Sequence, residues 1–174
     1  MRLLKVILLL LLISSCKGNS NNDVSIVELP DGMQLLSGNY TKTFNGIHSD
    51  LRLIAYYDST TCTNCAIKNV YAWASLINIV EKYRDKASVV LIFAPRKNDV
   101  DKVRKLLEEN MIDYPVYLDT ASVFRDLNNE ITSFPYYCII DRQGEVKISG
   151  SPFANTTVYK NYINVLNKEL LILN

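Results

Sequence analysis

The sequence predicts an α/β domain in which helices cover both faces of a mixed central β-sheet. Two apolar, β-prone runs, Leu51–Tyr57 and residues 88–94, have the character of strands buried on both sides. Each run is followed by a segment with apolar residues at helical spacing, and the chain closes with a hairpin and a further helix. Alternating strands and helices of this kind are typical of a sheet that contains parallel strands.

The first predicted helix starts at Cys62 and Cys65, directly after the strand Leu51–Tyr57, and ends near residue 84. Its apolar stripe consists of Ile67, Val70, Tyr71, Ala74, Ile77 and Val80. After the second strand, residues 99–110 predict another helix, whose apolar face carries Val100, Val103, Leu106 and Leu107. These elements form strand, helix, strand and helix in sequence.

The second half of the chain predicts shorter elements. We expect a strand at residues 115–118, a short helix at 121–127 and a buried strand at 136–140. The polar residues and glycine of Asp141-Arg142-Gln143-Gly144 predict a tight turn into a returning strand that ends at Ser149. The final helix, 156–171, presents five apolar residues inward: Val158, Tyr162, Val165, Leu166 and Leu170.

Size and charge limit the possible functions. The chain has 174 residues, 48% of them hydrophobic, which suits one globular domain over residues 25–174. Its 19 basic and 18 acidic residues give a net charge of +1, and no strong basic block is present. The charge balance therefore gives no reason to expect nucleic acid as a partner.

The N-terminus has the pattern of a lipoprotein signal peptide over residues 1–15. A short basic start precedes an apolar run that is too short for a membrane-spanning helix, which needs about 20 residues. Leu12-Ile13-Ser14-Ser15-Cys16 resembles a bacterial lipobox, which implies that Cys16 is lipidated and that residues 16–24 form a tether. The alternative is an ordinary secretory signal with an incidental cysteine.

Cys62-Thr63-Asn64-Cys65 is the motif that indicates chemistry. At a helix start, two intervening residues let the sulfurs approach each other, and the free amides and helix dipole stabilise a thiolate at Cys62. Cys62 is therefore the expected attacking thiol, and Cys65 is the expected resolving thiol.

The same spacing also serves as half of a zinc site or as a structural disulfide. No second such pair is present, and the only histidine, His48, lies well upstream. We therefore expect no metal site, and the strand-to-helix placement favours redox chemistry over a structural disulfide.

The chain from about residue 45 to 171 resembles the thioredoxin superfamily, particularly its TlpA-like, membrane-anchored thiol:disulfide oxidoreductases. The landmarks are the strand Leu51–Tyr57 leading into the cysteine motif, an additional βαβ insertion around residues 99–119, and Ser133-Phe134-Pro135-Tyr136-Tyr137 before a hairpin. The resemblance implies a thioredoxin-like fold with a cis peptide before Pro135. It also implies that Pro135 sits against the cysteines and that the backbone of Phe134 binds an extended substrate.

Several residues depart from the pattern of the family. Thr61 and Asn64 replace the tryptophan and proline that usually precede the two cysteines, and Tyr56 stands where many relatives keep a buried acid. Asp58 is the nearest acidic candidate for a general base at Cys65, although a solvated loop carboxylate or helix cap is the favoured interpretation. We interpret Cys138 as a core residue, and Trp73 as a core or partly exposed residue rather than a catalytic group.

The leading hypothesis is an enzyme that reduces or exchanges disulfides in envelope proteins without a cofactor. Its expected location is the bacterial cell envelope, where it faces the periplasm and is held to a membrane by the lipid on Cys16. The expected partners are protein thiols or disulfides and an upstream electron donor. One alternative is a non-enzymatic binding lipoprotein on the same scaffold. The other is a thiol peroxidase, which the replacement of a framework proline by Ala55 weakens.

Overall fold

A computed structural model describes residues 24–37, 40–43, 49–112 and 114–172. One sheet of seven strands organises these residues, in the order β2-β1-β5-β4-β3-β6-β7. The strands are β1 (Gln34–Ser37), β2 (Tyr40–Thr43), β3 (Leu51–Tyr57), β4 (Ala87–Phe93), β5 (Val116–Leu118), β6 (Tyr136–Asp141) and β7 (Val146–Ser149).

The sheet is mixed, as expected. Its centre is parallel, because β4 pairs in parallel with both β3 and β5. The remaining pairs are antiparallel: β1 with β2 and β5, and β6 with β3 and β7. The central strands β3 and β4 are buried over almost their whole length, which explains why both are continuous apolar runs.

Four α-helices accompany the sheet in the described residues: α1 (Thr63–Val80), α2 (Val100–Glu109), α3 (Val123–Leu127) and α4 (Thr156–Ile172). Short 3-10 helices follow α1 at Glu81–Tyr83 and precede α2 at Lys97–Asp99. The unit β4, α2, β5 is the additional βαβ insertion that the sequence predicts.

The two faces of the sheet bury separate cores. On one face, residues of α1, α2 and α4 pack together with alternate residues of β3, including Tyr57. On the other face, α3 and the N-terminal segment around Val27 and Met33 pack with the remaining β3 residues, including Tyr56. This alternation follows from the two-residue period of a strand, and it confirms the prediction of helices on both faces.

The predicted apolar stripe of α1 is partly wrong. Trp73 and Leu76 are fully buried, whereas Tyr71 is 54% exposed and Ala74 is also exposed. The buried face therefore follows the spacing Ile67, Val70, Trp73, Leu76 and Val80. Steps of three and four residues fit either stripe, so local periodicity alone does not separate them.

The strands β1 and β2 are absent from the sequence prediction. Each has four residues, and β1 takes its place by pairing with β5, about 80 residues further along the chain. The predicted turn and hairpin are confirmed: Asp141 Oδ1 accepts hydrogen bonds from the amides of Gln143 and Glu145, both at 2.9 Å. Gly144 has φ +88°, and a Cβ there would lie 2.6 Å from the Val27 carbonyl oxygen, so the turn requires glycine.

Candidate active site

The two motif cysteines lie at the start of α1, directly beyond the end of a central strand. β3 ends at Tyr57, a four-residue loop follows, and Cys62 occupies the N-cap position of α1. Cys65 lies in the first helical turn, and both cysteines are exposed as free thiols. The sequence prediction of a helix that begins at the cysteines is confirmed.

The two thiols differ in their electrostatic environment. The pKa of Cys62 is lowered, first by a hydrogen bond with the Cys65 side chain and then by the amides of Cys65 and Asn64, with a further contribution from the charge of Lys102. The pKa of Cys65 is raised, mainly because of the same contact with Cys62. The arrangement favours a thiolate at Cys62 while Cys65 keeps its proton.

Asp58 closes the loop that carries Cys62. Its Oδ1 accepts hydrogen bonds from the amide and hydroxyl of Thr60 at 3.1 and 2.8 Å, and from those of Thr61 at 3.1 and 3.0 Å. Asp58 is only 5% exposed, so the interpretation as a solvated carboxylate or helix cap is wrong. The carboxylate instead shapes the turn before Cys62, and Thr61 supplies two of its donors.

The peptide between Phe134 and Pro135 is cis, as the resemblance implies. Pro135 directly precedes β6, and the register pairs Tyr56 of β3 with Tyr136 of β6. The cysteine loop and the cis-proline loop therefore leave the same end of the sheet. A cleft of about 620 Å³ lies along the second loop, between residues 130–137 and 149–151. The two cysteines are not among the described residues that line this cleft.

An aromatic cluster supports the site on the face of α1. Trp73 is fully buried, and its indole nitrogen donates a hydrogen bond of 3.2 Å to the hydroxyl of Tyr57. The Trp73 ring lies 5.8 Å from that of Tyr137 and 5.2 Å from that of Phe153. These contacts confirm the interpretation of Trp73 as a core residue.

Tyr56 occupies the opposite face of β3. Its ring stacks on Phe124 at 4.3 Å and lies in an edge-to-face arrangement with Phe134 at 5.6 Å. Burial, followed by the nearby charges of Asp119 and Asp58, raises the pKa of Tyr56 well above its usual value. Tyr56 is therefore a neutral packing residue beneath the cis-proline loop.

Cys138 is a core residue, as predicted. It is fully buried in the middle of β6, and burial raises the pKa of its thiol far above the usual range. Within the described ranges, no group of three or more His, Cys, Asp and Glu side chains could hold a metal ion. His48 lies outside those ranges.

Arg125 is the residue near the site that sequence reasoning missed. Its guanidinium Nη1 lies 3.7 Å from Asp58 Oδ2, and its Cζ lies 5.3 Å from the centre of the Phe134 ring. A single arginine in a short helix carries no local signal of such a role. The contacts arise only when α3 packs against the end of β3.

The predicted signal peptide 1–15, the lipidation site Cys16 and most of the tether 16–24 lie outside the described residues. Helices long and apolar enough to cross a membrane do not occur in the part of the chain that the structure describes.

Comparisons with known proteins agree with this architecture. No family model and no curated protein matches the sequence. A candidate protein disulfide isomerase from Bacteroides thetaiotaomicron is similar in structure, with a TM-score of 0.59, 16% identity and coverage of 83% of this chain and 87% of that one.

Two further structures are similar over most of their length. One is a candidate thiol:disulfide interchange protein DsbE from Chlorobium tepidum, with a TM-score of 0.56, 18% identity and coverage of 82% and 97%. The other is the exposed lipoprotein thioredoxin of Streptococcus pneumoniae, with a TM-score of 0.53, 12% identity and coverage of 75% and 96%. The chain therefore has a thioredoxin-like fold.

Proposed function

We propose that this chain is a lipid-anchored thiol:disulfide oxidoreductase of the bacterial cell envelope that acts through Cys62 and Cys65. The observation that carries the proposal is the asymmetry of the two exposed thiols, since the pKa of Cys62 is lowered and that of Cys65 is raised. The thiolate is the attacking species in disulfide exchange. Cys62 is therefore the nucleophile, and Cys65 is the resolving thiol.

In the reducing direction, the Cys62 thiolate attacks one sulfur of a substrate disulfide. The substrate S–S bond breaks, a mixed disulfide forms, and the departing substrate thiolate takes a proton. Cys65 then loses its proton and attacks the Cys62 sulfur, which releases the second substrate thiolate. The substrate gains two electrons, the enzyme is left with a Cys62–Cys65 disulfide, and an upstream dithiol donor returns the two electrons by the same exchange.

The substrate protein binds in extended form against the cis-proline loop. Phe134 and Pro135 lie at the same end of the sheet as the cysteines, and both residues line a cleft. Backbone hydrogen bonds to an extended segment are independent of its side chains. This mode suits an enzyme that acts on many envelope proteins.

The location in the envelope, facing the periplasm, rests on the lipobox-like sequence that ends in Cys16. Acyl chains on Cys16 would hold the domain to a membrane, each buried methylene contributing about 0.8 kcal/mol. The similarity in fold to an exposed lipoprotein thioredoxin and to a candidate interchange protein is consistent with this placement. The chemistry needs neither a metal nor an organic cofactor.

Trapping of mixed disulfides tests the proposed activity. In a Cys65→Ser variant the resolving step is lost, so we expect Cys62 to accumulate as mixed disulfides with envelope proteins, detected by mass spectrometry. The matched control is the same variant with Cys62→Ser, which should trap nothing. A folded Cys65→Ser protein without adducts would contradict the proposal and favour the binding lipoprotein, whereas rapid sulfenic acid formation with peroxide would indicate a peroxidase.

Metabolic labelling tests the proposed lipid anchor on Cys16. Growth with a labelled fatty acid should label the wild-type chain and leave a Cys16→Ser variant unlabelled. Label in both chains, or in neither, would contradict lipidation at Cys16.

A further inference from the structure

Helix α3 is firmly fixed beside the candidate active site. At its start, Asp119 accepts hydrogen bonds from the amides of Val123 at 2.8 Å and Phe124 at 2.9 Å. At its end, the Asn128 side chain donates to the carbonyls of Phe124 at 2.7 Å and Glu28 at 2.9 Å. Asp119 and Asn128 are both buried. The short helix therefore has a defined position, and so has the base of any side chain that it carries.

Arg125 extends from this helix to both loops of the site. Its Nη1 lies 3.7 Å from Asp58 Oδ2, and Asp58 belongs to the loop that leads to Cys62. The Arg125 Cζ lies 5.3 Å from the ring centre of Phe134, the residue before the cis-proline. One guanidinium thus contacts the nucleophile loop through an ion pair and the cis-proline loop through a cation–π contact.

The ion pair has a buried partner. The Asp58 side chain is 2% exposed, and its Oδ1 is already occupied by Thr60 and Thr61. Its Oδ2 is buried, and no hydrogen-bond donor of the described residues reaches it. Arg125 therefore supplies the compensating charge for a carboxylate that water cannot solvate.

The Phe134 ring of the cation–π contact has a second neighbour, the Tyr56 ring. The Phe134 ring lies in an edge-to-face arrangement with the Tyr56 ring at 5.6 Å, and its centre is 5.3 Å from the Arg125 Cζ. A ring held by two neighbours restricts the backbone that carries it. In the proposed function, that backbone receives the substrate.

We propose that Arg125 is a positioning residue that couples the Cys62 loop to the Phe134–Pro135 loop and thereby sets how well the protein binds extended disulfide substrates. This inference rests on the proposed function. Arg125 makes no bond to the reacting sulfurs, and its effect is expected on KM for a large substrate. Small disulfides that do not use the cis-proline loop should react at the normal rate.

Substitution of Arg125 by methionine keeps the apolar stem and removes the charge and the planar donors. With insulin as the probe substrate, we expect Arg125→Met to raise KM roughly tenfold, which corresponds to about 1.4 kcal/mol of binding free energy. The rate with hydroxyethyl disulfide should stay within about twofold. Arg125→Lys keeps the charge without the planar guanidinium and should recover only part of the loss.

Arg142→Met is the matched control. Arg142 also forms an ion pair, at 3.6 Å to Asp50, but this pair is more exposed than that of Arg125 and lies at the opposite end of β6. This variant should leave both substrates unaffected. Equal losses with insulin and hydroxyethyl disulfide in Arg125→Met, or no loss with either, would overturn the proposal.

Hydrogen exchange separates a failure of this inference from a failure of the proposed function. Coupling predicts that Arg125→Met accelerates exchange in residues 58–61 and 132–136 together, whereas Arg142→Met accelerates neither. If wild-type protein does not reduce insulin, the proposed function fails, and joint acceleration still supports the coupling. Unchanged exchange in either segment overturns the coupling, whatever the activity.

Discussion

Cys62 and Cys138 show how differently one fold treats the same side chain. Cys62 is exposed at the N-cap of α1, where a neighbouring thiol and two amides lower its pKa. Cys138 is fully buried in β6, where the register places it opposite Ile54 of β3, and its pKa is raised. Both cysteines are close to the central strand β3 along the fold. Cys62 follows the end of β3, and Cys138 lies on β6, which pairs with β3.

The difference shows that location within the sheet decides the chemistry of a thiol. At the end of β3 the chain leaves the sheet, so amides without strand partners are available to stabilise a negative charge. Inside the sheet, β6 pairs with β3 on one side and with β7 on the other, and apolar side chains surround the Cys138 sulfur. A thiolate is therefore favoured beyond the end of the strand and disfavoured in the interior of the sheet.

Selective alkylation is the most sensitive test of this comparison. We expect iodoacetamide to modify Cys62 in the native protein at least about 100-fold faster than Cys138 at pH 7, because one thiol is ionisable and accessible and the other is neither. The rate at Cys62 should stay high as the pH falls below about 8.5, the usual thiol pKa. Mass spectrometry of digests from pH 5 to 9 measures both rates.

Unfolding provides the control for this experiment. In concentrated urea the local environments disappear, so all accessible cysteines should react at similar rates and with the same pH dependence. A native Cys62 that titrates like an unfolded thiol would contradict the proposed nucleophile.

Substitution by serine tests whether Cys138 lies in a tightly packed apolar core. Cys138→Ser places a hydroxyl in an apolar core, so we expect it to lower the free energy of unfolding by about 1–3 kcal/mol. Cys65→Ser, at an exposed position, should change it by less than about 0.5 kcal/mol. Urea denaturation of the two variants measures the contrast, and equal effects would mean that Cys138 is not held in a tight core.

The same contrast explains how much of the fold could be predicted from the sequence. The strand Leu51–Tyr57 was identifiable because a strand buried on both faces is a continuous apolar run. The position of Cys62 and Cys65 followed from the change to helical periodicity directly after it. The cis peptide before Pro135 came from the order of motifs, which the resemblance supplied.

The features that could not be predicted depend on distant pairing. β1 is short and is stabilised by β5, so its four residues carry little local pattern. The burial of Asp58 depends on Arg125, 67 positions away, and on the packing of α3. A carboxylate before a helix looks solvated in sequence, since nothing local indicates which cation will cover it.

The smallest expected effect is a difference in the free energy of unfolding between variants of two adjacent tyrosines on opposite faces of β3. Tyr57 and Tyr56 are both buried, but only the Tyr57 hydroxyl has described hydrogen-bond partners, which are the indole nitrogen of Trp73 at 3.2 Å and the side chain of Tyr137. Tyr57→Phe leaves that nitrogen unpaired in the core, so we expect a loss of about 1–2 kcal/mol. Tyr56→Phe removes a hydroxyl without a hydrogen bond, so stability should be unchanged or rise by up to about 1 kcal/mol.

Urea denaturation of the two variants measures this difference, and each is the control for the other because the same atom is removed from neighbouring residues. Far-ultraviolet circular dichroism should confirm that both retain the native helices. A destabilised Tyr56→Phe would show that its hydroxyl has a partner, for which the nearby carboxylates of Asp58 and Asp119 are the candidates. If that partner is Asp58, the Tyr56 hydroxyl belongs to the same polar cluster as Arg125. A hydrogen bond, in addition to packing, would then connect the face of β3 beneath Phe134 to the loop that carries Cys62.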